Sequence, residues 1–274
     1  MSFPLRKGAP ASILPVIVPR MNVRFASLLT YLVLVVASPL RAETTEQWIA
    51  KARAYLGSES ALSAVTTIHF TGTLEIINPA VDNQSTPASP LDKMPVEIIF
   101  QKPYQQLMTV TRPEGVDTMV LDDYDGWSRS ASRLNPKQSQ VSLLDIEQIK
   151  QLRANTWENL SFFAGLDKKG GRVDLGADET VDGIACAKLS FIHSAGIIFH
   201  RYFEKSTGRL VKTETANGSA IREEGEMVVN GIRFPKRILN KAANGQVTVI
   251  VFETVVLNES IPVVSFAVPS LLAD

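Results

Sequence analysis

The alternation of apolar and polar residues is clearest between Phe199 and Leu257, where three Asn-Gly pairs, Asn217-Gly218, Asn230-Gly231 and Asn244-Gly245, separate runs of strand-forming residues at nearly even spacing. A two-residue type I′ turn needs positive φ at both central positions. Asparagine tolerates that conformation and glycine adopts it freely, so Asn-Gly between apolar runs predicts a hairpin. Upstream, the run from Ile197 to Glu204 meets Ser206-Thr207-Gly208 and continues as Leu210 to Thr215. The C-terminal part therefore reads as an antiparallel meander of long strands. Along Gln246 to Leu257, Val247, Val249 and Val251 point one way while Ile250 and Phe252 point the other. A half-buried strand needs only one apolar face, so a helix, a second sheet or an apolar ligand must cover the other.

The preceding chain alternates between short helices and strands. Thr44 with Gln47 three residues on predicts a capped helix carrying Trp48, Ile49, Ala52, Tyr55 and Leu56, ended by Gly57. A brief helical turn follows over Ser58 to Val65, then a first strand over Thr66 to Ile77. Asn78 to Pro95 contains Pro79, Pro87, Pro90 and Pro95 and reads as a long loop. Strands are predicted at Val96 to Gln101, Gln105 to Arg112 and Gly115 to Leu121, with a turn at Asp125-Gly126 leading into Trp127 and a further strand. Ser142, with Asp145 three residues later, predicts the cap of a helix whose stripe is Leu143, Ile146, Ile149 and Leu152, continuing towards Trp157 and Leu160. That stripe must dock on a sheet, and the doubly apolar meander offers a face. After Lys168-Lys169-Gly170-Gly171, strands resume through Ile184 to Ile192.

Composition narrows the classes. The 274 residues show no internal shift that would mark a boundary, so residues 43–274 read as one domain. Lysine plus arginine equals aspartate plus glutamate at 28 each, which argues against nucleic acid as a partner. Met21 to Ala42 has a basic start at Arg24, an apolar run from Ala26 to Ala37 and a small residue before Glu43, the pattern of a secretory signal peptide cleaved near Ala42. Residues 1–20 then read as an upstream extension. The apolar run is short for a hydrocarbon core of ~30 Å, which needs about 20 residues. Cys186 is the only cysteine, so no intramolecular disulfide forms and no lipid-attachment cysteine follows the signal. These features predict a monomeric envelope protein, soluble after cleavage.

Candidate chemistry is sparse. His69, His193 and His200 each stand alone within a strand, without a second histidine or cysteine at ligand spacing. Asp122, Asp123 and Asp125 before Gly126 miss the register of a calcium loop, and no glutamate closes one. Neither a nucleophile elbow, a phosphate-binding loop nor a zinc-binding H-E-x-x-H is present. Glu223 and Glu224, adjacent on a strand, point to opposite faces and make a poor acid/base pair. Cys186 lies between Ala185 and Ala187 and reads as a buried packing residue. The expectation is a protein without catalysis, metal or cofactor. What remains is apolar surface: period two puts Val96, Ile98, Phe100 and Lys102 on one face of a strand. On pattern alone this is a core row with a rim lysine.

The order of features resembles the periplasmic lipoprotein-sorting carriers of the LolA/LolB-like superfamily. The likeness rests on the exported N-terminal helix, Phe70-Thr71-Gly72-Thr73-Leu74, Phe100-Gln101-Lys102-Pro103 and Tyr124-Asp125-Gly126-Trp127. It continues through the helical insert, the Phe203-x-x-x-x-Gly208-Arg209-Leu210 hairpin and Phe266-x-x-Pro269. The resemblance implies a mainly β fold with a few α-helices: an unclosed antiparallel barrel of about eleven strands, its apolar concave side covered by helices. It implies a periplasmic, non-enzymatic carrier that binds acyl chains of lipoproteins or lipids, taking cargo from an inner-membrane donor and passing it to an outer-membrane acceptor. The residues expected nearest the cargo are Val96, Ile98, Phe100, Lys102, Met119, Trp127, Ile149 and Leu152. The chain departs from the family at Lys102, which stands where the carriers have a functional arginine and lacks the planar fork that holds carbonyls. Trp127 follows Gly126 without the usual spacer, and the 78–95 loop is longer. A carrier has a clear physical task, since an acyl chain of ~16 carbons in water costs on the order of 12 kcal/mol at about 0.8 kcal/mol per methylene. A lipid-sensing or partner-binding module and an enzyme with a dispersed site are the other readings.

Overall fold

The computed structural model describes residues 43–77, 93–135 and 139–269. The upstream extension, the signal peptide and the proline-rich stretch from residue 78 to 92 lie outside the described residues. Residues 42–274 group into one compact unit.

Thr44 opens α1 (Thr45–Leu56) through a reciprocal capping box with Gln47, and Ser58 caps the short α2 (Glu59–Ser63). Six strands follow: β1 (Thr67–Ile77), β2 (Met94–Gln101), β3 (Gln105–Thr111), β4 (Gly115–Asp122), β5 (Asp125–Ser132) and β6 (Ser139–Leu143). Helix α3 (Ile146–Ser161) separates them from β7 (Arg172–Leu175), β8 (Glu179–Val181), β9 (Ile184–Ser194), β10 (Ile197–Glu204) and β11 (Leu210–Thr215). The meander ends with β12 (Ala220–Val229), β13 (Ile232–Lys241) and β14 (Val247–Leu257).

All these strands form one antiparallel sheet in the order β6-β5-β4-β3-β2-β1-β14-β13-β12-β11-β10-β9-β7, with β8 also on β9. Neighbours in sequence are neighbours in space almost throughout, and the sheet is drawn together in its middle where β1 pairs with β14. Its ends do not meet. Helix α3 lies in sequence between the two end strands, so the chain crosses the opening of the half-barrel there. The fold is thus the unclosed antiparallel barrel expected from sequence, with fourteen strands among the described residues where the resemblance implied about eleven.

Three local expectations differ from the structure. Ser142 belongs to β6, paired with Ser128, and Asp145 caps α3 by a box with Gln148. The Asp145/Gln148 pair satisfies two orphan helix donors at once, while the polar alternation of 139–143 suits an edge strand on β5. The β4–β5 turn falls at Asp123-Tyr124, because Asp122 pairs with Asp125 and Asp123 takes the positive φ of 53°. Of the Asn-Gly pairs, only Asn230-Gly231 forms the two-residue hairpin, with φ of 50° and 77° between the paired Val229 and Ile232. The other two sit in longer loops where glycine alone is left-handed, because Thr215 and Ala242 close those loops by backbone bonds to Ser219 and Gln246.

Candidate functional site: a cavity beneath helix α3

The inward rows of the central strands converge on a cavity of about 430 Å³. Ile68, Phe70 and Leu74 of β1 meet Ile98 and Phe100 of β2, Met108 of β3, Phe234 and Ile238 of β13, and Ile250 and Phe252 of β14. Phe70 is the hub, in ring contact with Phe252 at 4.5 Å, Phe234 at 5.8 Å and Phe100 at 6.4 Å. The second apolar face of β14 is therefore covered by a cavity rather than by close packing. That size lies within the range of about 300–1,000 Å³ typical of ligand pockets.

Helix α3 covers this space with its polar stripe. Asn155, Glu158 and Asn159 line the cavity, followed by Phe162 and Phe163 just past the helix end. Gln106 of β3, 5 % exposed, accepts from Thr156 Oγ1 at 3.2 Å and Asn155 Nδ2 at 3.3 Å and ties the helix to the sheet. Ala154 and Trp157 pack with Trp48 and Ala52 of α1 and with Phe203 and Leu210, so the two helices share one apolar cluster.

A charged group sits within this apolar wall. Along β10 the inward row reads Phe199, Arg201, Phe203, and Arg201 is 7 % exposed. Its guanidinium lies 4.8 Å from the ring centroids of Phe163 and Phe191 and 5.9 Å from that of Phe199. Nη1 forms an ion pair with the buried Glu158, whose other oxygen meets His193 Nε2 at 2.6 Å. Glu223 of β12 also lines the cavity, and burial pushes its carboxyl pKa up against the opposing pull of the Arg201 charge. Its neighbour Glu224 faces away and binds Arg237 at 2.5 Å, as the alternation of a strand requires.

The end of α3 is held from α1. Arg53 Nη1 donates to the carbonyls of Ser161 at 2.8 Å and Phe162 at 2.7 Å, while its other face is forked onto Glu59. These hydrogen bonds hold the Glu59 carboxyl below its ordinary pKa. Phe162 and Phe163 have φ of 49° and 73°, a conformation costing on the order of 1–3 kcal/mol for each bulky residue, so Arg53 offsets local strain as well as unsatisfied carbonyls.

The residues predicted nearest the cargo divide among several places. Ile98 and Phe100 line the cavity, and Val96 is buried in the same cluster just beyond it. Ile149 is buried and Leu152 half-buried on α3, about two turns and one turn respectively before the part of the helix that lines the cavity. Met119 is 38 % exposed in a shallow surface cleft with Met108 and Val110. Trp127 lies on the other side of the sheet with Ile99, Val120 and Phe266, its Nε1 donating to the Phe266 carbonyl at 3.0 Å. Lys102 projects into a separate cleft with Arg53, Lys168 and Lys169, where burial and the Arg53 charge lower its pKa. The carbonyls at the end of α3 are held instead by Arg53 of α1. Arg201 and Glu223 were not legible as site residues, though each is a charge in an inward strand row, a signal that period-two analysis can find.

The histidines are accounted for by pairing: His69 lies between Glu97 and Glu259, and His200 contacts Ser190. Cys186 is fully buried, and burial raises its thiol pKa. Among the described residues no group of three or more histidine, cysteine or carboxylate side chains could hold a metal ion.

No protein-family model matches the chain, and no curated protein matches its sequence. Its structure is similar to that of a LolA superfamily protein, NE2245 from Nitrosomonas europaea, at 16 % identity and a TM-score of 0.54, covering 82 % of this chain and 98 % of that one. It is also similar to a DUF1329 family protein from Desulfovibrio piger, at 12 % identity and a TM-score of 0.51, covering 81 % and 96 %. At such identities the likeness concerns architecture, and the fold is LolA-like.

Proposed function

We propose that this protein is a non-enzymatic carrier of the bacterial envelope that shields acyl chains of lipids or lipoproteins from water. The observation that carries the reading is the cavity of about 430 Å³, walled by Phe70, Phe100, Phe234 and Phe252 and covered by a single helix. Burying methylenes there at about 0.8 kcal/mol each offsets the cost of taking a chain out of a bilayer. The LolA-like fold supports the same reading, since the apolar concave face is what that architecture leaves available. On this reading the protein works in the periplasm, between a donor membrane protein and an acceptor. Arg201 and Glu158 in the cavity are engaged as an ion pair rather than arranged as a nucleophile with its base, which favours binding over catalysis.

The test is mass spectrometry of lipids and lipidated peptides extracted from residues 43–274 purified from an envelope fraction without detergent. Acylated species near one per protein are expected. A protein that remains empty, and takes up no chain from vesicles, would sink the carrier reading and leave a partner-binding module.

A further inference from the structure

Arg201 and Glu223 give the cavity a polar end that an unmodified hydrocarbon does not need. A guanidinium carries five N–H donors. Among the described residues its only polar contact is the ion pair of Nη1 with Glu158, and neither Nη1 nor Nε, both buried, makes a hydrogen bond. Leaving such a donor unmade inside an aromatic wall is costly, and the cost is removed when an acceptor arrives. The charges also constrain the acceptor. Glu158 already neutralises Arg201, the cavity's other guanidinium, Arg233, is paired with Glu226 at 3.5 Å, and Glu223 is a further carboxyl there with no hydrogen bond or ion pair among the described residues. A second anion would be placed beside two carboxyl groups. A neutral oxygen would not.

We propose that the cavity recognises the neutral carbonyl of an ester- or amide-linked acyl group, which accepts hydrogen bonds from Arg201 while its chain lies along the phenylalanine-lined wall. A free fatty acid fits less well on charge, and a bare alkane leaves Arg201 unpaired. This inference rests on the carrier reading and specifies its cargo by the linkage at the head of the chain. An ester carbonyl is what a phospholipid offers, and an amide carbonyl what an N-acylated polypeptide offers.

The experiment measures displacement of N-phenyl-1-naphthylamine from residues 43–274 by methyl laurate, N-methyl lauramide, laurate and dodecane. The ester or the amide is expected to bind about tenfold more tightly than dodecane and laurate, a difference of about 1.4 kcal/mol. A tighter amide points to an N-acylated polypeptide, and a tighter ester to glycerol-linked chains, which phospholipids share with diacylglyceryl-modified polypeptides. With carbon-13 at the carbonyl, the infrared stretch of the bound ester or amide should move to lower frequency. In the double variant Arg201→Met with Glu158→Gln, which removes the ion pair without stranding either charge, the shift and the preference should both disappear while dodecane still binds. If dodecane or laurate binds as well as the carbonyl compounds in the unaltered protein, the inference is overturned and chain binding stands. If no chain displaces the probe, the carrier reading itself fails. Should the double variant not fold, the selectivity and the infrared shift of the unaltered protein decide the matter.

Discussion

Replacing Arg53 with alanine isolates the contact that secures the cover of the cavity. Arg53 Nη1 makes two hydrogen bonds of 2.8 and 2.7 Å to carbonyls at the end of α3, and the side chain is nearly buried. Hydrogen bonds to charged groups are worth about 1.5–3 kcal/mol each. The freed carbonyls border a cleft that water can enter, so the net loss to closure of α3 is expected to be about 2–3 kcal/mol rather than the sum. Glu59 loses its partner at little cost, being 71 % exposed in its side chain. At 1.4 kcal/mol per tenfold change, backbone amides of residues 149–161 should exchange with deuterium about 30- to 150-fold faster. Amides of the β1–β14 pairing serve as the internal control and should keep their protection. Arg53→Lys should recover only part of the effect, because an ammonium lacks the planar fork. Unchanged protection in α3, or an equal loss in β1 and β14, would refute the idea that Arg53 holds the helix down locally.

Other outcomes follow from the same geometry. Ile238→Trp should fill the cavity, costing about 1–3 kcal/mol in stability and sharply lowering co-purified acyl chain, and an undiminished lipid content by mass spectrometry would contradict the assigned site. Gly72→Ala would place a Cβ 2.0 Å from the Val251 carbonyl oxygen at the bulge that joins β1 to β14, and a loss of about 1–3 kcal/mol is expected in urea unfolding; no loss would mean that the strands can part there freely. Glu223 has a folded pKa raised above its ordinary 4.5, so its contribution to stability is fully present below pH 4.5 and is lost as pH rises through the folded value. Glu223→Gln, which mimics the neutral acid, should therefore raise Tm at neutral pH and flatten its decline above pH 4.5, and identical pH profiles for the two proteins would count against a raised pKa for this half-buried carboxyl.

Strand periodicity and capping carry most of the architecture, whereas the composition of the cavity wall depends on how distant rows meet. The Thr44/Gln47 box, the Asn230-Gly231 hairpin and the strand rows of β1, β2 and β14 are local, and local patterns specify them. Whether Val96 or Ile98 reaches the cavity depends on the curvature of the sheet, which no single strand encodes. Trp127 illustrates the limit: its large apolar ring suits either side of β5, and the segment carrying Phe266, far away in sequence, settles it by covering the outer face. The stripe of α3 misleads for a related reason. Its apolar residues hold the helix in place, and its polar residues Asn155, Glu158 and Asn159 are the ones turned to the cavity.

The pairing of β1 with β14 also governs the order in which the wall can be built. Ile68 finds Phe100 nearby in sequence, but its partner on the other side is Leu257, near the opposite end of the chain. Contacts so remote in sequence are slow to form, since a long loop must be ordered before they reward it. Phe252 and Ile250 arrive with the last strand, so a nascent chain lacking β14 has two separate sheet halves and no enclosed cavity. The enclosed wall is therefore complete only once β14 has paired with β1, and that pairing acts as the checkpoint for assembly of the cavity.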